Sequence, residues 1–220
     1  MTTKATDFYY LCLVKIEKNG TNDNVSLDYS RFVILAKSAF IKFVELTYAN
    51  KSDDELRYIQ NLLVTTKLEK NKTSDTFTEF SLPNDYFNHS SIKAKAKTST
   101  CKEDFIELYE VKDLDNDAIL NDEFNKPSFK HREAPYTFSN NNVRVFTDGE
   151  FDITKVDLTY YRYPNYIRLI DEENPEEGIE DEFLDFDDKA LEKISAIIAR
   201  DFDINTSNPR FQTQEYRINK

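Results

Sequence analysis

Glycine, cysteine, histidine and tryptophan are scarce in this chain. Three glycines, two cysteines, two histidines and no tryptophan occur among 220 residues. With glycine only at Gly20, Gly149 and Gly178, no glycine-rich loop that cradles a phosphate can be drawn. His89 and His131 each lack a second candidate ligand at zinc spacing. This composition argues against a nucleotide-binding loop and against a zinc site.

Disulfides and membrane spans are not expected either. Cys12 and Cys101 lie far apart in the sequence and predict reduced thiols, as in a cytosolic protein. No run of eighteen apolar residues occurs, so we expect no membrane span. The apolar stretch from Phe8 to Val14 lacks a basic flank and a small-residue cleavage site, so no secretory signal is expected.

Negative charge is concentrated in one stretch. The net charge is −12, and residues 171–188 hold eleven acidic residues and no basic one. Outside that run, 30 acidic residues face 29 basic ones. A duplex-binding protein needs a basic surface. The sequence therefore predicts no specific DNA binding.

The first part of the chain predicts two helices. Residues 28–49 place apolar groups at helical spacing, with Asp28 or Ser30 as the cap. A second helix is predicted from Ser52 to about Thr66, where "SDDE" fits a capping box closed by Glu55. The apolar positions are Phe32, Leu35, Ala36, Ala39, Phe40, Phe43 and Val44, then Leu56, Ile59, Leu62 and Leu63. After an N-terminal segment at 1–27, residues 28–68 therefore predict an antiparallel helical hairpin.

The middle of the chain predicts an antiparallel β-domain over residues 75–168. Strict alternation in "SIKAKAKTS" places Ile92, Ala94 and Ala96 on one face and lysines on the other. "TDGE" at 147–150 predicts a tight hairpin turn between two strands. "NDAILNDEF" predicts a short helix within this domain.

An acidic loop, a third helix and a polar tail follow. The loop covers residues 169–188, and the helix at 189–204 begins with Asp187 or Asp188 as its cap. Its apolar face is Leu191, Ile194, Ile198 and Phe202. The fold class is α+β: a helical hairpin and C-terminal helix packed together, an inserted antiparallel β-domain and an extended tail at 205–220.

Two acidic patterns suggest a metal site or a catalytic site. Asp113, Asp115 and Asp117 fall at positions 1, 3 and 5 of a calcium loop, but Ala118 and Phe124 break its sixth and twelfth positions. The run at 171–188 could contain a carboxylate pair for glycoside hydrolysis, but such a pair needs a fixed separation. Adjacent acids around a proline and a glycine are typical of a solvated loop. We therefore expect no catalytic residue, no metal and no cofactor.

Tyrosines gather in "TYYRYPNYI" at 159–167. Val156, Leu158 and Tyr160 share one strand face and predict core. The other face holds Tyr161 and Tyr163, for which core and protein interface remain equal alternatives. Tyrosine is enriched at interfaces because its ring offers a large amphipathic surface. The interface candidates here are Tyr161, Tyr163 and Tyr166.

The C-terminal tail carries isolated aromatic residues in a polar segment. Phe211 and Tyr216 could anchor it on a neighbour, with Arg210 and Arg217 as charge partners. The alternative expectation is a terminal extension that is partly disordered.

The order of these segments resembles a known family. Its motifs here are "FSLPNDYF" (80–87), "NKPSFKHREAPYTF" (125–138), "VRVFTDGEFDITKVDLTYYRYPNYI" (143–167) and "KALEKISAIIARDF…NPRFQ" (189–212). They resemble the head-to-tail connector, or adaptor, proteins of short-tailed bacteriophages, the tail tubular protein A group. Ring proteins of crAss-like phages are the more similar members. The likeness covers about 30–212 and rests on composition and order, and the acidic loop departs from it.

The resemblance implies a structural protein without catalysis. Wedge-shaped copies would form a ring, expected to be a dodecamer, beneath the portal, with helices around the channel and the C-terminal segment reaching the portal or a neighbouring copy. The implied partners are other copies, the portal protein and the next tail ring protein, while packaged DNA only passes through. The implied location is the virion, after assembly in the host cytoplasm.

The acidic loop has its own alternatives. Asp171, Glu172, Glu173, Glu176 and Glu177 could face the channel and repel DNA phosphates within about 8 Å, the Debye length at physiological salt. They could equally face solvent or a basic partner. A competing function is a monomeric acidic binding module, such as a DNA-mimic inhibitor of a host factor, and a third is a carboxylate hydrolase.

Overall fold

The chain folds into two compact units, each of which is described separately. The computed structural model describes residues 3–19, 27–50, 52–112 and 126–205. One unit, hereafter the helical unit, combines residues 1–62 with residues 163–220. The other, hereafter the sheet unit, is the continuous stretch 63–162. The predicted mixed α+β class is confirmed.

Among the residues described for it, the helical unit contains four α-helices and two short 3-10 turns. The helices are α1 (Ala5–Asn19), α2 (Tyr29–Asn50), α3 (Asp53–Leu56) and α4 (Asp188–Asn205), and the 3-10 turns are Arg57–Leu62 and Pro175–Glu177. The two long predicted helices, α2 and α4, are confirmed.

The apolar stripe of α2 is buried as its spacing predicts. Six of the seven predicted positions are buried, and Leu35 is half-buried. The Asp28 carboxylate accepts the Arg31 backbone N–H at 2.8 Å, so Asp28 rather than Ser30 caps the helix.

Helix α4 begins and packs as predicted. The Asp187 carboxylate accepts the Ala190 backbone N–H at 2.7 Å, which makes Asp187 the cap. The predicted apolar face is fully buried: Leu191, Ile194, Ile198 and Phe202 are each 0–1% exposed.

Helix α1 completes the core of the helical unit. No helix was predicted in the N-terminal segment at 1–27, yet the Phe8 ring lies 5.9 Å from both Phe32 and Phe40 on α2. Cys12 is fully buried, and α1 also packs against α4. Burial raises the pKa of the Cys12 thiol to about 12. The core is therefore built by α1, α2 and α4 together.

The predicted second helix is confirmed only as a short α-helix followed by the 3-10 helix Arg57–Leu62, and it is wrong from Leu63 to Thr66. Helix α3 ends at Leu56, and strand β1 already begins at Leu63. Ser52 provides no side-chain cap, and the Glu55 carboxylate accepts the Asn50 amide at 2.9 Å instead of closing a capping box. The β-branched run from Val64 to Thr66 favours a strand, and pairing with a neighbouring strand outweighs its helical periodicity.

The sheet unit contains eight strands that extend from residue 63 to residue 162. They are β1 (Leu63–Lys67), β2 (Glu69–Thr73), β3 (Phe77–Ser81), β4 (Tyr86–Thr98), β5 (Asp104–Glu110), β6 (Glu133–Ser139), β7 (Asn142–Phe146) and β8 (Phe151–Arg162). Their order in the sheet is β1-β8-β4-β5-β6-β7-β3-β2. The sheet begins earlier than the predicted residue 75. The predicted helix at "NDAILNDEF" and the weighed calcium loop lie outside the described residues.

The sheet is mixed, so the antiparallel prediction is wrong for one pair of strands. Strands β5 and β6 run parallel, from Glu107↔Glu133 to Glu110↔Tyr136. Parallel neighbours need a long connection, and residues 111–132 supply one.

The predicted hairpin at "TDGE" is also wrong. Strand β7 pairs with β3 on one edge and β6 on the other, so no edge remains for β8. The chain turns at Gly149, whose φ of +82° favours glycine, and β8 then pairs with β4 and β1. A turn signal marks a change of direction, but it does not show which strands become neighbours.

The sheet curls because its two outermost strands are consecutive in the chain. Only Leu68 separates β1, which pairs with β8, from β2, which pairs with β3. The Leu68 N–H donates to the Val156 carbonyl at 2.9 Å. The enclosed core draws side chains from every strand except β2, and it includes Ala94, Ala96, Val156, Leu158 and Tyr160, as predicted.

Candidate protein-interaction site

The acidic stretch forms a folded loop with a narrow neck. Leu169 and Ile179 form an antiparallel bridge. Beside it, the Ile170 N–H donates to the Gly178 carbonyl at 3.1 Å, and the Glu180 N–H donates to the Arg168 carbonyl at 2.9 Å. Gly178 has a φ of +114°, which favours glycine at this return point. The expected solvated loop is thus held by backbone hydrogen bonds.

Four glutamates occupy the end of this loop. The Asp171 carboxylate accepts the Glu173 N–H at 2.8 Å and the Asn174 amide at 3.3 Å, and the 3-10 turn Pro175–Glu177 follows. That turn lies beside α2. Glu172, Glu173, Glu176 and Glu177 are exposed and are hereafter the acidic tip. The fold therefore presents four exposed carboxylates at the end of this loop, two of them on the 3-10 turn.

The second half of the acidic stretch fastens the N-terminal segment of the chain. Lys4 pairs with the Asp181 carboxylate at 2.7 Å, and the Thr6 N–H donates to the same carboxylate at 3.3 Å. The hydrogen bond from Lys4 lowers the pKa of Asp181 below its ordinary value. The Ala5 N–H also donates to the Glu182 carbonyl at 2.9 Å. Asp181 thus caps the start of α1 from a distant part of the sequence.

The remaining aspartates of the stretch also accept hydrogen bonds from distant parts of the chain or from the start of α4. The Asp185 carboxylate accepts the Asn165 N–H at 2.8 Å, and the Asp185 carbonyl accepts the Asn61 amide at 3.1 Å. Asp187 caps α4, and Asp188 accepts the Thr3 hydroxyl. Nine of the eleven acids therefore fall into two groups, four glutamates that face solvent at the tip and five aspartates whose carboxylates accept hydrogen bonds within the fold.

The tyrosine candidates differ in exposure. Tyr161 is 8% exposed, so in the described part of the chain its ring has almost no surface with which to contact a partner protein. Tyr163 is 38% exposed. Tyr166 is half-buried with the Lys37 ammonium 4.7 Å from its ring centre, and burial raises its pKa. The other interface candidates, Arg210, Phe211, Tyr216 and Arg217, lie outside the described residues.

Sequence reasoning missed several exposed apolar side chains. In the helical unit these are Tyr10, Val14, Ile34, Leu46, Ile170 and Phe183, and in the sheet unit they are Phe105 and Leu63, which was predicted to lie on an apolar helix face. A usable signal existed for Ile34, because an isoleucine stands where the periodicity of α2 places a polar residue. An apolar residue that lies outside the core-facing stripe of an amphipathic helix can therefore be predicted to be exposed.

An open groove lies at one end of the sheet unit. It measures about 1360 Å³, and its lining alternates bases such as Lys97, Lys102 and Arg132 with acids such as Asp148 and Asp152. The Arg132 guanidinium lies 2.9 Å from the Asp104 carboxylate at its edge. This mixture favours no ligand of one charge.

Metal and membrane features were sought in the described part of the chain. Among residues 3–19, 27–50, 52–112 and 126–205, no group of three or more His, Cys, Asp or Glu side chains could hold a metal ion. No helix in those ranges has the length and apolar character needed to cross a membrane.

No protein-family model matches the chain, and no curated protein matches it.

Proposed function

We propose that this protein is a structural component of a bacteriophage virion. It would form a ring of the head-to-tail connector below the portal, joining portal to tail and lining the channel used in genome ejection. The observation that carries the proposal is made in the described part of the helical unit, which combines a folded acidic tip with seven large exposed apolar side chains. Interfaces pair apolar centres with polar rims.

The finer arrangement is part of the same proposal. The helical unit is the wedge that meets neighbouring copies, and the sheet unit is its insertion. Residues 205–220 are the docking arm, with Phe211 and Tyr216 as anchors and Arg210 and Arg217 as charge partners. Tyr163 offers partly exposed aromatic area at the start of the returning segment.

The acidic tip faces either the channel or a basic partner. The four exposed carboxylates lie close together in the sequence on a loop whose neck is fastened by backbone hydrogen bonds, so their negative charge is concentrated at one place. At physiological salt the field reaches about 8 Å, enough to repel DNA phosphates that pass close by. The exposed Glu172, Glu173, Glu176 and Glu177 support this role.

The test uses the portal protein encoded by the same genome. The full chain and a variant lacking residues 206–220 are each mixed with it, and complex mass is measured by light scattering after size exclusion. We expect one copy of this chain per portal subunit, and weaker binding by the truncated chain. A monomer that does not bind the portal would contradict the connector.

The acidic tip also favours one alternative, a monomeric module that binds a basic host protein. Replacement of its four glutamates by glutamine separates the two functions. The connector predicts that portal binding survives the change, because the tip is not the docking arm. The alternative predicts that the chain stays monomeric and that its affinity for the basic protein falls.

A further inference from the structure

Helix α1 presents an apolar stripe on the side away from the core. Tyr10 and Val14, one turn apart, are 55% and 46% exposed. The opposite side of the helix buries Phe8 and Cys12 completely. The Tyr10 ring contacts that of Tyr9 at 5.6 Å between centroids, and about half of the surface of Tyr10 and of Val14 stays exposed.

Helix α2 presents a second apolar stripe. Ile34, in the second turn of α2, is 70% exposed. Ile41, two turns further along the same side, is half-buried. The core side of α2 carries the buried residues Phe32, Ala36, Ala39, Phe40 and Phe43.

The charges at the ends of the two stripes are opposite. Exposed Asp7 and Glu17 flank the stripe of α1, and partly exposed Arg31 and Lys42 flank that of α2. Ten residues separate the two acids and eleven separate the two bases. At 1.5 Å per residue these spacings are about 15 Å and about 16 Å. The four charges can therefore meet in pairs when the stripes face each other.

The two bases are already held beside their stripe. The Arg31 guanidinium lies 4.5 Å over the Phe202 ring, and Lys42 lies 3.5 Å from the Asp201 carboxylate. These contacts limit the side-chain freedom that would be lost on binding, and the Asp201 carboxylate offsets part of the Lys42 charge, so Arg31 is the stronger positive end of the stripe. Exposed Lys37 and Glu45 lie on the same half of α2 and carry opposite charges, so they nearly cancel.

We propose that the α1 stripe of one copy packs on the α2 stripe of a second copy. The proposal deepens the proposed ring, because it names the faces by which copies meet. Contact of α1 with α1 would oppose acids to acids, and contact of α2 with α2 would oppose bases to bases. Each copy therefore uses two different faces, and such heterologous contacts give a ring when the rotation closes.

Cysteine cross-linking tests this contact in the full chain. In a Cys101→Ser background, Val14→Cys and Ile34→Cys are prepared as single variants and oxidised separately and as a mixture, with and without the portal protein. The mixture is expected to give a cross-linked dimer at several times the yield of either single variant. The double variant is expected to give a ladder of higher oligomers. Leu46→Cys, an exposed site on another side of α2, is the matched control.

The outcomes separate this inference from the connector function. Cross-links that form only within the single variants would overturn the heterologous contact. So would a mixture of Val14→Cys with Leu46→Cys that gives as much cross-linked dimer as the mixture of Val14→Cys with Ile34→Cys. A portal complex of ring mass without the mixed cross-link would overturn the contact and leave the connector standing. A mixed cross-link without portal binding would leave the contact standing and overturn the connector. A chain that neither cross-links nor oligomerises would overturn the contact.

Discussion

Single side chains decide where the helices of this protein begin. Asp28 and Asp187 each bond a backbone N–H three residues ahead, and both were predictable because the interaction is local. Ser52 shows the limit of that reasoning, because the carboxylate of Glu55 is held by Asn50. Asp181 could not be predicted as the cap of α1, since its partner lies 175 positions away.

Removing the Asp187 carboxylate should weaken α4. We expect Asp187→Ala to lower the free energy of unfolding by about 1 kcal/mol, because the Ala190 N–H loses its acceptor. Asp187→Asn should retain most of the stability, since asparagine also caps helices. Urea unfolding measures both variants against Glu182→Ala, an exposed neighbour. Equal losses for alanine and asparagine would contradict the capping role.

Tyr160 should make the free energy of unfolding depend on pH in the alkaline range. Burial, together with its hydrogen bond to Asp85 at 2.9 Å, raises its pKa to about 12, and burial does the same for Tyr136. The unfolded chain loses these protons near pH 10, whereas the folded chain keeps them. Stability is therefore complete below pH 10 and falls as the pH rises to 12, by about 1 kcal/mol per pH unit for each tyrosine.

Comparison of variants isolates that contribution. Tyr160→Phe should flatten the fall in the free energy of unfolding between pH 10 and pH 12, whereas Tyr10→Phe, at an exposed position, should leave it unchanged. Urea titrations at pH 8, 10, 11 and 12 measure the slope. An unchanged slope in Tyr160→Phe would contradict the raised pKa.

At the scale of elements, periodicity predicts where strands and helices lie better than it predicts which of them become neighbours. The alternation in β4 correctly assigned Ala94 and Ala96 to the core. It could not predict that β5 and β6 pair in parallel or that β7 and β8 are not partners, because pairing depends on which strand edges are already occupied. For the candidate site, the acid run was found from sequence, but its division into tip and fastening residues needed the folded backbone.

The neck of the acidic loop should depend on Gly178. A Cβ there would lie 3.6 Å from the Ile170 Cδ1, which is ordinary contact, so the cost of Gly178→Ala comes from its φ of +114°. We expect a loss of about 1–3 kcal/mol in the free energy of unfolding. Glu177→Ala is the matched control. Hydrogen exchange of the Ile170 and Glu180 amides would report the neck itself, and unchanged protection would contradict the expectation.

The acids flanking the α1 stripe should control self-association. Replacing Asp7 and Glu17 together by lysine places like charges opposite Arg31 and Lys42, so the self-association constant should fall about 10-fold or more at low salt. The same change at exposed Asp53 and Asp54 on α3 should leave it unaltered. Sedimentation velocity over a concentration series compares the two double variants at two salt concentrations. Equal effects would show that net charge, rather than the stripe, determines association.

At the scale of the whole molecule, the two units should differ in their ability to fold alone. The sheet unit, residues 63–162, contains all strands of its own sheet, so as an isolated fragment it should show cooperative thermal unfolding by circular dichroism. Residues 1–62 should not, because Leu191, Ile194 and Phe202 of α4 fill the core around α1 and α2. A cooperative transition in the 1–62 fragment would contradict this division.

The curled sheet and the fastened first helix have a consequence for synthesis on the ribosome. Strand β1 is translated early but finds its partner β8 about a hundred residues later, and α1 waits still longer for residues 181–184. Contacts between distant parts of a sequence slow folding. Nascent chains should therefore remain open to proteases and chaperones until late in translation, with both units closing only in the last third of the sequence.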